Sequence, residues 1–256
     1  MNFLTAAHTD VGIKKKVNQD SFCLKVASYK SEHVAFSVLC DGMGGLRMGE
    51  LASSFLVNAF SEWFDEVLPG ELKKGLQPQN IQKQWDAIIR RQNVLIKDYG
   101  ARQCVSLGTT LTMILIFGNK YIAAHVGDSR LYQISSELRQ LTKDHSLVAR
   151  EVEQGKITSD EAKVDKRRNI LLQCVGASNV VTPQIIVGQA VPNEVFVLCS
   201  DGFRHEVQDE EIFGTLAPDL LNNEAVIKKT LVDLVELNKT RGETDNITAV
   251  AIKCTE

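Results

Sequence analysis

The stretch Val34-Ala35-Phe36-Ser37-Val38-Leu39-Cys40-Asp41-Gly42-Met43-Gly44-Gly45 runs from continuous apolar sequence into an acidic, glycine-rich junction. The β-branched and aromatic content of Val34 to Cys40 suits a buried strand. Asp41 then falls where the strand is expected to end, and Gly42 permits a sharp turn. The pattern recurs at Val195-Phe196-Val197-Leu198-Cys199, followed by Ser200-Asp201-Gly202. A third acidic junction lies at Asp245-Asn246. One such site is an ordinary strand-to-turn junction. Several in one domain predict carboxylates converging at one end of a sheet, the environment a hard divalent cation needs.

Outward from these runs, strands are expected at Asn2 to His8, Ser21 to Ala27 and His33 to Cys40, with a polar turn from Thr9 to Asp20. Ala52, Leu56, Ala59, Phe60, Trp63 and Val67 recur at helical spacing and predict a helix from Gly49 to Val67, closed by Pro69-Gly70. A second helix is predicted from Pro78 to Tyr99. Gly108 to Phe117 and Tyr121 to Val126 read as a hairpin around Gly118-Asn119-Lys120. Leu131 to Ile134 and Arg139 to Thr142 read as a shorter one. Residues 144–177 are charged, without a long apolar stripe, and read as an insertion lying over the body of the fold. Strands resume at Pro183 to Val187 and Glu194 to Cys199, helices at Asp209 to Leu216 and Glu224 to Asn238, and a last strand at Asn246 to Cys254. This order predicts an α+β fold in one domain, 1–256: a central sandwich of two antiparallel sheets flanked by helices.

The 256 residues are 44% hydrophobic and 24% charged, as in an ordinary globular protein. A net charge of −3 offers no electrostatic case for nucleic acid. No apolar stretch approaches a membrane span, and Met1-Asn2-Phe3-Leu4-Thr5 shows no leader, so a cytoplasmic location is expected. The six cysteines are scattered without a Cys-x-x-Cys pair and read as small buried hydrophobes rather than zinc ligands.

Asp20, Asp41, Asp128, Asp201 and Asp245 all stand at strand–turn junctions. Carboxylates brought together raise one another's pKa unless a cation holds them. An all-oxygen donor set selects magnesium, manganese or calcium over zinc or copper, and no segment has the spacing of an EF-hand loop.

The segments Thr9-Asp10-Val11-Gly12, Asn18-Gln19-Asp20-Ser21, Asp41-Gly42-Met43-Gly44-Gly45, Gly108-Thr109-Thr110, Gly127-Asp128-Ser129-Arg130, Asp144-His145-Ser146, Ser200-Asp201-Gly202 and Asp245-Asn246-Ile247-Thr248 occur in one order. Together they resemble the motif series of the metal-dependent serine/threonine protein phosphatases, the PPM or type-2C family, in its compact bacterial form, from about Thr5 to Ile252. The resemblance implies a two-metal centre loaded with Mn2+ or Mg2+, with Asp41 bridging both ions and the Gly42 carbonyl on one of them. Asp201 and Asp245 would complete the other ion's shell. Asp128 would join Asp201 at a third position, and Asp20 would bind metal-held water. The implied reaction is hydrolysis of phosphoserine and phosphothreonine in proteins by a hydroxide bridging the two metals. It also implies phosphoprotein substrates, a counterpart Ser/Thr protein kinase, a monomer, and a flap formed by residues 144–177.

Three positions depart from the family pattern. Lys15 stands where an arginine usually grips the substrate phosphate, and supplies a point charge without a bidentate fork. Gln19 replaces the usual glutamate before Asp20. Met43 follows Asp-Gly where some relatives have histidine, so no general acid is assigned. Two rival readings follow: a catalytically weak, phosphopeptide-binding regulatory member, and a phosphatase of small phosphoesters or phosphotyrosine.

Overall fold

The computed structural model describes residues 1–30, 32–44 and 48–256. Gly45, the last glycine of the first motif, lies outside them. In chain order the elements are β1 (Asn2–Asp10), β2 (Asp20–Tyr29), β3 (Glu32–Gly44), α1 (Gly49–Glu62), a π-helical turn (Trp63–Val67), α2 (Leu68–Lys73) and α3 (Pro78–Arg102). Next come β4 (Leu107–Thr109), β5 (Leu111–Phe117), β6 (Lys120–Val126), β7 (Arg130–Ile134), β8 (Leu138–Gln140), α4 (Leu147–Glu153) and α5 (Ser159–Val164). Then follow β9 (Gln184–Gln189), β10 (Val195–Cys199), α6 (Asp201–Arg204), α7 (Asp209–Leu216), a 3-10 turn (Pro218–Leu220), α8 (Glu224–Thr240) and β11 (Ile247–Thr255).

Two antiparallel sheets form the centre. One has strand order β1-β11-β10-β7-β8, the other β2-β3-β5-β6-β9 with β4 added beside β3. Side chains alternate across each strand, and both faces of the central strands are covered. From β3, Ala35 and Leu39 enter the layer between the sheets, where they join Ile114, Phe196, Leu198 and Val250. Val34, Phe36, Val38 and Cys40 point the other way, into a core shared with α1 and α3. Likewise Val195, Val197 and Cys199 of β10 face the layer of α7 and α8. Burial on both faces explains why these runs read as continuously apolar. The helix-side core is aromatic: Phe36 lies 5.7 Å from Trp63 and 6.3 Å from Trp85 between ring centroids.

The predicted sandwich is the observed one, with four differences in detail. First, β3 does not end at Cys40. It continues through Asp41 to Gly44 because β4 pairs with its far end, Gly42 opposite Thr109 and Gly44 opposite Leu107. Second, Asp201 opens a helix rather than a turn, since α6 begins there with Ser200 extended before it. Third, Pro69-Gly70 does not close the first helix. A π-helical turn precedes α2, which places Pro69 in its first turn, where proline's missing N–H is tolerated. Fourth, the run from Gly108 to Phe117 splits into β4 and β5 at Thr110, whose backbone and hydroxyl both bond Asp41 instead.

Residues 144–177 hold only two short helices, each capped by its own side chain. Ser146 accepts from the Ala149 N–H, and Thr158 with Glu161 forms a capping box. No described helix is long and apolar enough to cross a membrane.

Candidate metal centre

Asp20 begins β2 and stands directly opposite Asp41 on β3. Two like charges on neighbouring strands are unfavourable, so local structure has to hold them there. The Asp41 N–H donates to Thr110 Oγ1 at 2.9 Å, and the Asp41 carbonyl accepts from the Thr110 N–H and the Thr109 hydroxyl, each at 2.9 Å. Asp20 Oδ2 accepts from the Thr248 hydroxyl at 2.6 Å. Asp245 ends the loop before β11 next to Asn246, whose side chain ties down the polar turn. Asn246 Oδ1 accepts from the Gln19 N–H at 2.9 Å, while its amide donates to the carbonyls of Val11 and Val17 at 2.9 and 3.2 Å.

Two glycines allow these segments to meet. A Cβ on Gly42 would stand 2.2 Å from the Gly49 carbonyl oxygen and 2.6 Å from that of Gln19. A Cβ on Gly202 would stand 2.3 Å from the Asn246 carbonyl oxygen. Close backbone approach, rather than a left-handed conformation, demands glycine at both. Gly42→Ala is therefore expected to cost about 1–3 kcal/mol, as overpacking does, and to displace the start of α1. A thermal midpoint equal to that of the parent protein would contradict this.

The electrostatics mark the site. Asp20 and Asp128 are 9% and 6% exposed. Burial first, countered in part by the Thr248 and Ser200 hydroxyls and reinforced by Asp201 and Asp245, pushes the Asp20 carboxyl up to about 7. Burial, then Asp201, pushes Asp128 up to about 7 against the pull of Arg204. Asp41 is raised well above the usual carboxylate range by burial and then by Asp20, Asp201, Asp128 and Asp245. Asp41 thus feels the other four acids, and Asp20 and Asp128 each feel Asp201. Asp20 Oδ1 and Asp201 Oδ1 are buried without a hydrogen-bond partner. A buried acceptor without a donor is costly, and a cation is the partner that would satisfy both. Among the described residues, no three His, Cys, Asp or Glu side chains close into a ready-made metal cage.

Lys15 reaches this cluster. Its ammonium lies 2.8 Å from Asp245 Oδ1. Burial opposes its charge, but the Asp245 bond and the fields of Asp41 and Asp201 raise its pKa. In the protein alone it is therefore a counter-ion to the carboxylates.

Several contacts around these acids were not legible in the sequence. Arg130 forks onto Asp144, Nη2 to Oδ2 at 2.9 Å and Nε to Oδ1 at 3.0 Å. Arg204, with 12% of its side chain exposed, lies 3.5 Å from the same carboxylate and donates to the Asp128 carbonyl at 2.8 Å. Burial opposes the charge on Asp144, but these two guanidiniums hold it below the usual range. Gln19 Nε2 reaches Glu50 Oε2 at 3.5 Å. Arg130 and Arg204 each follow a motif aspartate within three residues, and that proximity was the available signal. A cavity of about 550 Å3 runs from Asp128 and Arg204 beneath α4 and α5, lined there by Val148, Val152 and Lys163.

His125, Cys40, Cys199 and Cys254 pack in the interior, whereas Cys104 is exposed and Cys23 and Cys174 are only partly buried, against the reading of all six cysteines as small buried hydrophobes. His125 is fully buried between Thr112 Oγ1 and the Gly127 carbonyl, each at 3.0 Å, and burial lowers its pKa to about 3. His145 lies beside it, with ring centroids 4.9 Å apart. Cys40 and Cys199 are fully buried, and burial raises both thiols.

Sheets, helices and a carboxylate-lined centre at the loop ends define a PPM-type phosphatase. The family model "Protein phosphatase 2C" matches residues 9–236. The chain belongs to this family and is a serine/threonine protein phosphatase. It is 30% identical over 257 residues to the protein phosphatase PhpP of Streptococcus pneumoniae, covering 97% of this chain and 96% of that one. Its fold is similar to that of the serine/threonine phosphatase Stp1 from Staphylococcus aureus, with a TM-score of 0.84, 28% identity, and coverage of 100% of this chain and 96% of that one. It is similar also to the catalytic domain of the serine threonine protein phosphatase PstP in complex with two manganese ions, with a TM-score of 0.79, 31% identity and 99% of both chains covered.

Proposed function

We propose that this chain hydrolyses phosphoserine and phosphothreonine in proteins with two divalent cations, Mn2+ or Mg2+, held by Asp41, the Gly42 carbonyl, Asp201 and Asp245. Asp128 with Asp201 would offer a third position, and Asp20 would hold a water at the centre. The observation that carries the reading is the gathering of five acids around two buried, partnerless carboxylate oxygens. PstP, whose structure holds two manganese ions, is similar over 99% of the chain. When bound, such cations supply Lewis acidity, making a water acidic enough to attack at neutral pH and offsetting charge on the phosphoryl oxygens.

The chain's own residues do the rest. Thr248 orients Asp20 through its 2.6 Å bond, leaving Oδ1 free to hold an attacking water. The bonds from Thr109 and Thr110 fix the backbone on either side of the Asp41 carboxylate. Lys15, paired with Asp245 in the protein alone, would be free to meet the substrate phosphate if that carboxylate held a cation instead. The flap at residues 144–177 roofs the cavity beside Asp128, where the polypeptide flanking the phosphoresidue would lie. One domain spanning 1–256, acting as a monomer in the cytoplasm opposite a Ser/Thr protein kinase, completes the reading. It is supported by the antiparallel pairing of β1 with β11, which joins the first and last strands in one sheet.

The test is metal-stripped protein assayed on an aryl phosphate and a phosphothreonine peptide, with Mn2+, Mg2+ or chelator. Turnover of the peptide that requires metal is expected. No metal-dependent turnover of either substrate would sink the enzymatic reading, and turnover of the aryl phosphate alone would favour the small-phosphoester rival. In the same assay Lys15→Arg is expected to lower KM, because a guanidinium grips phosphate through two parallel bonds. An unchanged KM would remove Lys15 from the phosphate site. Cys199→Ser is expected to keep most of the activity, since its thiol lies in the helix-side core.

A further inference from the structure

Two carboxylates of the centre, Asp201 and Asp245, come from separate segments, yet one buried residue touches the supports of both. Glu243 is 5% exposed and sits in the turn between α8 and β11. Its Oε1 accepts the backbone N–H groups of Thr244 and Asp245 at 2.5 and 2.7 Å, which fixes the backbone that carries Asp245. Its Oε2 lies 3.0 Å from His205 Nδ1. The other edge of that imidazole faces Asp201, with Nε2 3.5 Å from Oδ2. His205 therefore occupies the space beside one oxygen of Asp201 and leaves the other, Oδ1, buried without a partner. His205 is held in turn, with only 10% of its side chain exposed.

Burying a carboxylate is unfavourable unless its oxygens are bonded. Glu243 satisfies that condition with two backbone donors and one imidazole, and no Lys or Arg ion pair to it occurs among the described residues. A glutamate is not needed to close a short turn, so its placement calls for a purpose beyond the turn.

We propose that Glu243 and His205 form a positioning pair that sets Asp245 and Asp201 in register with each other, Asp245 through its backbone and Asp201 through the imidazole, so that the cation meets carboxylates already arranged. Partners of this kind orient ligating groups, and their loss costs about 10–100-fold in metal affinity. The inference rests on the metal reading given above. It concerns affinity alone and assigns neither residue to substrate.

The experiment measures Mn2+ binding to the full chain by titration calorimetry without substrate, alongside the thermal midpoint in chelator. His205→Ala is expected to weaken Mn2+ binding about 10–100-fold. Glu243→Gln, which keeps an acceptor for the two N–H groups, is expected to weaken it in the same direction. The double variant is expected to fall no further than the weaker-binding single one, because both act through a single chain of contacts. If His205→Ala fails to fold, His205→Gln carries the same expectation. Wild-type affinity in the folded histidine variant, or losses that multiply in the double one, would overturn the proposal. A drop in thermal midpoint with unchanged Mn2+ affinity would reduce the pair to a structural role and overturn it equally. A parent protein that binds Mn2+ but hydrolyses neither substrate would defeat the proposed activity and leave this test intact.

Discussion

Asp41→Asn is expected to lower turnover by about 10^3-fold or more while raising the thermal midpoint of the metal-free protein. The loss follows from removing the carboxylate that would serve both cations, whose contribution is several kcal/mol of transition-state stabilisation. The gain follows from the same geometry. Without a cation, Asp41 is raised well above the usual range by burial and by four neighbouring acids, so its charge is a liability to the fold. The asparagine amide keeps the shape and removes that charge. For a chain of this length each kcal/mol relieved raises the midpoint by roughly 2–4 °C. Saturating Mn2+ should reverse the order, because the parent protein gains more from binding than the variant. Melting curves in chelator and in Mn2+ decide it: a variant less stable than its parent in chelator would mean that repulsion does not strain the centre. Asp201→Asn and Asp245→Asn should nearly abolish turnover as well.

The pH dependence of metal-free stability should run against the usual direction for carboxylates. In the folded chain Asp20 and Asp128 titrate near 7, whereas their ordinary value is 3.8. The folded state therefore holds more protons than the unfolded state between those values, and stability falls as pH rises through that window. His8, His125 and His145 are lowered by burial and act oppositely, losing stability as pH drops below 6.5. Unfolded histidines are still half charged at 6.5, so they offset part of the slope that the acids set between 3.8 and about 7. From pH 4.5 to 7 the thermal midpoint in chelator is therefore expected to fall more steeply, or rise less, in the parent protein than in Asp20→Asn or Asp128→Asn. Mn2+ should remove that difference in slope, because the cation replaces the protons that shield the carboxylates. Equal slopes in parent and variants in chelator would show that these acids are already ionised without cost.

Much of this was readable along the chain because it depends on local patterning. Continuous apolar runs such as Val34 to Cys40 and Val195 to Cys199 declare strands covered on both faces, and the helices from Pro78 and Glu224 declare one apolar stripe each. Where the reading slipped, a tertiary partner had overridden a local signal. Asp41-Gly42 has the composition of a turn, but β4 supplies a ladder that carries the strand on to Gly44. Pro69-Gly70 has the composition of a stop, but the π-helical turn ahead of it lets the proline serve as a helix start.

The centre divides the same way. The five aspartates, the glycines beside them and Lys15 could be picked out in order from motifs alone, because each is tied to a short local pattern. No pattern disclosed that Lys15 would settle on Asp245. Nor did one disclose that Asp144 would hold two guanidiniums next to Asp128, or that Glu243 would reach His205 across 38 residues of chain. Ordered motifs and strand periodicity thus determined the family, the sandwich and the acids that meet at its end. Which oxygens are left without partners, and which side chains steady the others, was decided only by tertiary packing. Those facts depend on distances between segments remote in sequence, and on burial that makes each unpaired charge costly.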